Sequence, residues 1–303
     1  MSGTAAVGFI GLGNMGGRMA NRLVQAGYDV VGYDPVEGAA EAAGAVPAAS
    51  VADVVRQADH VLLSLPDSAV VEDVVLGAGG ILTHGRAGQV VVDLSTAAPS
   101  STRTLHGRLT ENGVQLLDAG VSGGAAAAEA GRLTLMIGGD PAVLEEVRPA
   151  LDTFAAQIHL MGGPGSGHST KLLNNFLNAL NLAASSEVLV AARKAGLDVA
   201  QVLDVINASS GANWATLNRF PHIVRGDYLE GGLTSELMLK DIRLYLEHLA
   251  DIGAPTFNSA GPVACFGLAI HAGYGDEISN RVVDAIGDVA GGLRLHATPD
   301  HEQ

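Results

Sequence analysis

The sequence predicts a doubly wound α/β domain with a mostly parallel sheet over residues 1–163. An all-α domain is predicted over residues 164–303, joined to the first by a long helix. Two observations predict this division. Short β-branched runs alternate with helical patterns in the first half, and the strand runs stop after Gly162-Gly163-Pro164-Gly165. Continuous apolar runs such as Val90-Val91-Val92 are typical of parallel strands that helices cover on both faces.

Composition excludes several classes of protein. Hydrophobic residues make up 48% of the 303 residues and charged residues 16%, which is typical of a globular chain and not of a disordered one. A net charge of −15 disfavours a nucleic-acid partner. No run approaches the roughly 18 apolar residues of a membrane span, so no membrane partner is expected. A single cysteine, Cys265, forms no intrachain disulfide, which favours a reducing, cytoplasmic location.

The elements of the first domain follow in order. Its predicted strands are Ala5–Ile10, Asp29–Tyr33, His60–Leu65, Gln89–Leu94, Val114–Asp118, Leu133–Ile137 and Gln157–Leu160. Helical patterns lie between them, at Met15–Ala26, Ser68–Leu76, Ser100–Asn112 and Pro141–Asp152.

The second domain shows helical patterns throughout. The long helix is predicted over about 168–195, with Gly196 as its C-cap. Further helices are predicted over about 199–208, 213–225, 234–252, 256–272 and 276–293.

A glycine motif marks the first predicted site. Gly11-Leu12-Gly13-Asn14-Met15-Gly16 directly follows the first strand and opens the first helix, and the second strand ends at Asp34. In dinucleotide-binding proteins the first glycine permits a tight turn, the second lets the pyrophosphate approach the backbone, and the third lets helix and strand pack closely. Asp34 is expected to accept hydrogen bonds from the adenosine ribose and to repel a 2′-phosphate, which favours NAD over NADP. The alternative is a glycine turn without a ligand.

A polar stripe on the long helix marks the second site. At 100° per residue its members fall within an arc of roughly 120°: Lys171, Asn174, Asn175, Asn178, Asn181 and Ser185. Four asparagines indicate a helix that lines a wet cleft or, alternatively, a buried amide network. A lysine in such a cleft can act as a general acid or base, and its ammonium group can stabilise a developing alkoxide.

Two more segments carry candidate residues. Asp118–Gly124 follows a strand, at the sheet edge where ligands of open α/β sheets bind, and its Ser-Gly-Gly turn could bind a carboxylate. Lys240, in Leu239-Lys240-Asp241, is a second cation, although an exposed helix charge is the commoner role of a lysine.

Taken together, the motifs resemble those of the β-hydroxyacid dehydrogenase family, which includes 3-hydroxyisobutyrate dehydrogenase and tartronate semialdehyde reductase. Four segments carry the resemblance, in the family's order. They are Val7–Gly16 (cofactor motif), Asp118–Gly124 (D-A-P-V-S-G-G), Gly165–Asn175 (G-x-G-x-x-x-K-x-x-N-N) and Lys240–Leu244 (K-D-x-x-L).

The resemblance implies roles for individual residues. Lys171 is the implied catalytic residue. The implied substrate-binding residues are Ser122, Gly123, Gly124, Asn175 and Lys240. Leu65, Pro66 and Thr96 join the Gly11–Gly16 loop around the cofactor, with Lys240 beside the nicotinamide end. The implied fold is a Rossmann domain, a connecting helix and an all-α domain, assembled as a homodimer or homotetramer.

Some positions depart from the family pattern. Gly120 stands where the family has proline, which predicts a looser turn. Arg22 replaces a common asparagine, the Ala125–Ala128 run is unusually small, and Trp214 could shape the pocket. These departures leave the substrate open among 3-hydroxyisobutyrate, glycerate or tartronate semialdehyde, 4-hydroxybutyrate and larger 3-hydroxy acids.

The leading hypothesis is an NAD-dependent oxidation of a 3-hydroxy carboxylate to its semialdehyde, or the reverse reduction. Its partner is then a small hydroxy acid or semialdehyde. Alternatives are a tartronate or succinic semialdehyde reductase, an imine reductase and a non-catalytic cofactor-binding protein. The last two are disfavoured because their members lack a lysine at the place of Lys171.

A metal enzyme is disfavoured because the ten histidines include no H-x-H or H-E-x-x-H spacing. A nucleotide-sugar dehydrogenase needs a cysteine nucleophile, whereas Cys265 lies in an apolar stretch typical of a core.

Overall fold

The computed structural model describes residues 6–296, so Ala5, the first residue of the predicted first strand, lies outside the described residues. Packing divides the chain into two compact units, one ending at Lys171 and one beginning at Leu172. Each unit is described by itself below.

An eight-stranded sheet forms the centre of the first unit. Its strands are β1 (Val7–Ile10), β2 (Val30–Tyr33), β3 (Val46–Pro47), β4 (His60–Leu63), β5 (Val90–Asp93), β6 (Gln115–Ser122), β7 (Leu133–Gly138) and β8 (Ala155–Gly162). Their order is β3-β2-β1-β4-β5-β6-β7-β8. Only the β6–β7 pair is antiparallel among the pairs of this sheet. The predicted doubly wound, mostly parallel sheet is confirmed.

In the described part of the first unit eight helices accompany the strands: α1 (Gly16–Gln25), α2 (Ala39–Ala42), α3 (Val51–Gln57), α4 (Ser68–Leu76), α5 (Ile81–His84), α6 (Pro99–Thr110), α7 (Gly124–Glu129) and α8 (Pro141–Leu151). Val90 and Val92 belong to the apolar cluster on one face of the sheet, and Val91 to the cluster on the other. Side chains of a strand alternate between its two faces, so burial on both faces explains the unbroken apolar runs.

Several elements differ from the sequence prediction. β3 was missed because it is a two-residue edge strand that includes a proline. The short helices α2, α3, α5 and α7 were also missed. β6 continues past Asp118 to Ser122 because it pairs with β7, where Gly120 lies opposite Met136. Gly120 therefore lies in a strand, and the prediction of a looser turn there was wrong.

Helices make up the second unit. They are α9 (Ser166–Lys194, which begins in the first unit), α10 (Val199–Asn207), α11 (Trp214–Asn218), α12 (Phe220–Ile223), α13 (Ser235–Ile252), α14 (Ala260–Ala269) and α15 (Val282–Val289). A π-helical turn, Ile270–Tyr274, follows α14, and a 3₁₀ turn, Ser279–Arg281, precedes α15. The helix predicted over 213–225 is two helices, because Pro221, at the start of α12, has no N–H group to continue the hydrogen bonds of α11. Phe220, Phe266 and Met238 are fully buried in a core shared by these helices.

No helix of the described residues is both long enough and apolar enough to cross a membrane.

Candidate active site

The three glycines of the cofactor motif differ in the space that is open to a side chain. Gly11 has φ +88°, and a Cβ atom there would lie 2.3 Å from the Ser64 carbonyl oxygen. At Gly16 a Cβ atom would lie 1.9 Å from the Gly11 carbonyl oxygen. At Gly13 it would meet no atom within 4 Å. The outer two glycines are thus required by the fold, whereas the open side of Gly13 is what the approach of a pyrophosphate needs.

The start of α1 can receive an anion. No side chain caps this helix, and its first turn contains no acidic residue. Leu12, Asn14 and Met15 complete the loop that leads into it. Helix N-termini present backbone N–H groups and a positive dipole end, so this loop fits a dinucleotide pyrophosphate.

Asp34, directly after β2, is tied to the glycine loop. Its Oδ2 accepts a hydrogen bond from the Leu12 N–H at 2.7 Å, and its Oδ1 accepts one from the Val36 N–H at 2.8 Å. A carboxylate has about four lone-pair sites, so these two bonds leave capacity for ribose hydroxyls. Asp34 therefore positions the loop as well as offering the acceptor that the sequence predicts.

The loops after β4 and β5 lie at the same edge of the sheet. Leu65 contacts the Gly11 position, because a Cβ atom there would lie 3.0 Å from the Leu65 Cδ2. The Leu65 N–H donates to the Ser95 Oγ at 2.9 Å. Pro66 and Thr96 directly follow Leu65 and Ser95 in these loops. The predicted cofactor residues of the first unit thus follow strands that are neighbours in the sheet, β2, β1, β4 and β5.

Lys171 packs directly on β6. A Cβ atom at Gly120 would lie 2.5 Å from the Lys171 Cβ and 3.3 Å from its Cγ, so the stem of the lysine occupies the space of the missing side chain. Ser122 lies two residues further along β6. Side chains two apart in a strand point to the same face, about 6–7 Å apart, so Lys171 and Ser122 share one face of the strand.

The turn after Ser122 requires glycine. Gly123 has φ +127° and Gly124 has φ +71°. A Cβ atom at Gly123 would lie 2.8 Å from the Ala127 Cβ. Gly124 is the first residue of α7. Both glycines are exposed, so the backbone at the end of β6 is open to a ligand, as binding of a carboxylate requires.

A buried carboxylate holds the first turn of α9. Asp118, 1% exposed, accepts hydrogen bonds from the Gly165 N–H at 2.7 Å and from the His168 N–H at 2.8 Å. Gly165 has φ +85°, and the helix starts at Ser166, slightly before the predicted start at about residue 168. Asp118 therefore fixes the end of the helix on which Lys171 lies.

The His168 side chain is fully buried beneath the same turn. Its Nδ1 lies 2.8 Å from the Thr102 Oγ1, and its Nε2 lies 3.2 Å from the Asp93 carbonyl oxygen. The Asp93 Oδ1 accepts from the Ser95 N–H at 3.0 Å. A chain of hydrogen bonds thus connects the cofactor loop at Leu65 with the start of α9.

Asn175 and Lys240, two of the predicted site residues, lie close together within the second unit. Asn175 lies one turn after Lys171 on α9, is 4% exposed, and donates from Nδ2 to the Asp241 Oδ2 at 2.5 Å. Lys240 Nζ lies 3.2 Å from the Asp241 Oδ1. Phe176 stacks on Tyr245 with ring centroids 4.0 Å apart, which fixes α9 against α13 beside this group. Because a carboxylate only accepts, Asp241 fixes which way the Asn175 amide points.

Sequence reasoning missed the roles of three acidic residues. Asp93, Asp118 and Asp241 are each at most 2% exposed, and their partners are the groups described above. A carboxylate at the end of an apolar strand was the available signal for Asp93 and Asp118, because a buried acid needs hydrogen-bond donors.

The described residues contain no group of three or more metal-binding side chains. Cys265 lies half-buried on α14, where burial raises the pKa of its thiol.

Two sequence families match the chain. Residues 6–163 match the NAD-binding domain of 6-phosphogluconate dehydrogenase, and residues 165–286 match the NAD-binding family of NADP-dependent 3-hydroxyisobutyrate dehydrogenase.

Individual relatives match over nearly their whole length. The NAD-dependent L-serine dehydrogenase of Pseudomonas aeruginosa is 36% identical, over 89% of this chain and 94% of that protein. The 2-(hydroxymethyl)glutarate dehydrogenase of Eubacterium barkeri is 35% identical, over 93% of this chain and 95% of that protein. A Mycobacterium tuberculosis 3-hydroxyisobutyrate dehydrogenase solved with L-serine superposes with a TM-score of 0.84 at 31% identity, covering 92% of this chain and 98% of that one. The chain therefore belongs to the β-hydroxyacid dehydrogenase family and is an NAD-dependent oxidoreductase that acts on the CH–OH groups of small hydroxy acids.

Proposed function

We propose that the protein oxidises a 3-hydroxy carboxylate of the 3-hydroxyisobutyrate type to its semialdehyde, or catalyses the reverse reduction, with Lys171 as the general acid or base. The observation that carries the proposal is the packing of Lys171 on Gly120, on the same face of β6 as Ser122. Relatives named for L-serine and for 2-(hydroxymethyl)glutarate support a 3-hydroxy acid, because both compounds carry the hydroxyl on the carbon β to a carboxylate.

In the oxidative direction Lys171 takes the proton of the substrate hydroxyl. The residues that would hold NAD are those of the Gly11–Gly16 loop with Asp34, Leu65, Pro66 and Thr96, and NAD bound there would supply the acceptor for the hydride of the carbinol carbon. In the reductive direction the Lys171 ammonium donates the proton to the developing alkoxide and stabilises its charge meanwhile.

The other proposed residues orient the substrate. Ser122, with the amides of Gly123 and Gly124, binds the carboxylate at the end of β6. Asn175, held by Asp241, hydrogen-bonds the substrate hydroxyl from the turn that follows Lys171. Lys240 is proposed to lie near the nicotinamide end and the substrate, with its charge held in place by Asp241.

The test is NADH absorbance with a panel of hydroxy acids. The panel contains 3-hydroxyisobutyrate, L-serine, L-threonate, 2-(hydroxymethyl)glutarate, glycerate and 4-hydroxybutyrate, with lactate as a 2-hydroxy control. Turnover of a 3-hydroxy acid with NAD, and none of lactate, is expected. Turnover of 4-hydroxybutyrate alone would overturn the 3-hydroxy assignment.

The Lys171→Ala variant tests the mechanism. It should lower kcat by about 10²–10⁴, the usual contribution of acid–base catalysis, while NADH affinity measured by fluorescence stays unchanged. Lys194→Ala is the matched control, because Lys194 lies at the far end of α9, where its Nζ bonds the Ala290 carbonyl oxygen at 3.1 Å. Equal kcat in the two variants would remove Lys171 from the mechanism.

We also propose a homodimer or homotetramer in a reducing, cytoplasmic compartment. Exposed apolar side chains on α9 support an interface there, since Leu173, Leu177 and Val188 are 46%, 57% and 51% exposed. Light scattering of the purified protein tests the assembly, and a monomer at micromolar concentration would overturn it.

A further inference from the structure

Arg219 lies between α11 and α12 with only neutral partners. Its Nη1 donates to the Asn280 Oδ1 at 2.7 Å and, more weakly, to the Ser279 Oγ at 3.4 Å. The guanidinium carbon lies 5.2 Å from the centroid of the Trp214 ring. These contacts fix the plane of the guanidinium group, and none of them neutralises its charge.

The other two partly buried arginines of the second unit, Arg281 and Arg294, are neutralised by carboxylates. Arg281 is paired with Glu230, Glu277 and Asp284, and Arg294 with Asp284 and Asp288. Among the described residues no carboxylate lies within ion-pair distance of Arg219. Burial lowers the pKa of Arg219 to about 10, so the group remains a cation at neutral pH in a partly desolvated place. A desolvated charge without a counter-ion is costly, which indicates that an anion completes the site.

The free side of the guanidinium group is open. Its Nε and Nη2 make no hydrogen bond within the described part of the chain, and neither is sealed from solvent. Arginine presents its N–H groups as a fork that matches the two oxygens of a carboxylate. Trp214, 56% exposed, borders the same group with a flat apolar surface that suits the carbon chain of a ligand.

Two contacts place Arg219 beside the helices that bear the proposed substrate residues of this unit. The Ser279–Arg281 turn, which holds Arg219, packs on α13, the helix of Lys240 and Asp241. Asn213, the residue before Trp214, donates from Nδ2 to the Ser185 Oγ on α9 at 3.1 Å. Ser185 belongs to the polar stripe that also contains Asn175.

We propose that Arg219, steadied by Asn280 and bordered by Trp214, binds a second carboxylate on the substrate. The preferred substrate is then a hydroxy acid that carries a further acidic group on its carbon chain. This assignment rests on the proposed function for the reaction itself, but the binding of a dicarboxylate can be measured without turnover.

The experiment compares two probes by calorimetry on the full chain saturated with NADH. Glutarate and pentanoate have the same chain length and differ in one terminal carboxylate. Glutarate should bind the wild type at least about tenfold more tightly, the effect of a charge-assisted, bidentate pair. Arg219→Gln should reduce glutarate affinity to that of pentanoate. Arg225→Gln, which removes an exposed arginine from the same segment, should leave the preference unchanged.

Arg219→Lys keeps the charge without the fork and should keep only part of the preference, so it serves as the test if Arg219→Gln does not fold. Equal binding of the two probes by the wild type, or a glutarate preference that survives in Arg219→Gln, would overturn the proposal. Glutarate should also compete with the hydroxy acid in the turnover assay. Binding that depends on Arg219 but does not compete would overturn the assignment to the substrate, whereas absence of turnover with binding intact would overturn only the proposed reaction.

Discussion

At the scale of single residues, Gly120 shows how a missing side chain places a reactive one. A Cβ atom at residue 120 would lie 2.5 Å from the Lys171 Cβ and 3.0 Å from the Gly167 carbonyl oxygen. The aliphatic stem of Lys171 therefore occupies the space that a side chain at residue 120 would need. Alanine at residue 120 must therefore displace the start of α9 or the lysine itself.

The Gly120→Ala variant should lower kcat markedly and cost about 1–3 kcal/mol of unfolding free energy, as overpacking does. NADH affinity should change little, because the cofactor loop is not touched. Gly107→Ala is the control, since a Cβ atom at this α6 position would meet nothing within 4 Å. That variant should be as active as the wild type and slightly more stable. Wild-type kcat in Gly120→Ala would show that the stem position of Lys171 does not govern the reaction.

Asp34 is the residue that should decide between the two nicotinamide cofactors. Asp34→Asn keeps an acceptor for the Leu12 N–H but removes the negative charge. We expect weaker NADH binding and stronger NADPH binding, because repulsion of the 2′-phosphate is lost. Fluorescence titration with each cofactor measures the change. An unchanged ratio of the two dissociation constants would mean that the charge does not act on the ribose.

At the scale of elements, the start of α9 depends on one buried acid. Asp118→Asn replaces one accepting oxygen by an N–H₂ group that faces a backbone N–H, so one of the bonds to Gly165 and His168 must break. The free energy of unfolding should fall by about 1–3 kcal/mol, the usual cost of leaving a buried polar group without a hydrogen bond. The kcat should also fall, because Lys171 is in the same first turns of the helix.

Asp198→Asn is the matched comparison for Asp118→Asn. Asp198 also accepts from two backbone N–H groups, Ala200 and Gln201, at the start of α10, but it is exposed. Asparagine is as good an N-cap as aspartate, so Asp198→Asn should lower the free energy of unfolding by only a few tenths of a kcal/mol. Urea unfolding of both variants measures the difference. An equal decrease in unfolding free energy in the two variants would show that the burial of Asp118 does not strengthen its hydrogen bonds.

The sequence predicted the elements that have a strong local pattern. Strands such as β5 are apolar throughout because both faces are buried, and α4 lies at its predicted bounds, Ser68–Leu76. The break at Arg219 was missed because a helical pattern continues across it. The two-residue β3 exists only through pairing with β2.

The candidate site was predictable where a motif carries the chemistry locally. The roles of the glycine loop and of Lys171 are predicted from the motifs formed by their neighbours in the sequence. The buried partners are not, since Asp118 and Gly165 are 47 residues apart and Asn175 and Asp241 are 66 apart. Only the tertiary structure brings such pairs together, so local sequence patterns do not predict which residues position the reactive ones.

At the scale of the whole molecule, each compact unit has its own apolar core. The clusters on the two faces of the sheet lie entirely before Lys171, and the helical cluster lies entirely after it. A ligand that touches one unit should therefore stabilise that unit and leave the other nearly unchanged.

ADP-ribose provides the test, because it contains the pyrophosphate and ribose groups for the loops of the first unit and lacks the nicotinamide. At about 100 times its dissociation constant it should add about 2.7 kcal/mol and raise the midpoint of one calorimetric component by roughly 5–10 °C. Ile137→Val and Ile223→Val, fully buried in the first and second core, mark the components, because each should lower one midpoint. If the ligand and both variants move a single common transition, the two cores unfold together, and α9, which begins in one unit and continues in the other, then makes them one cooperative structure.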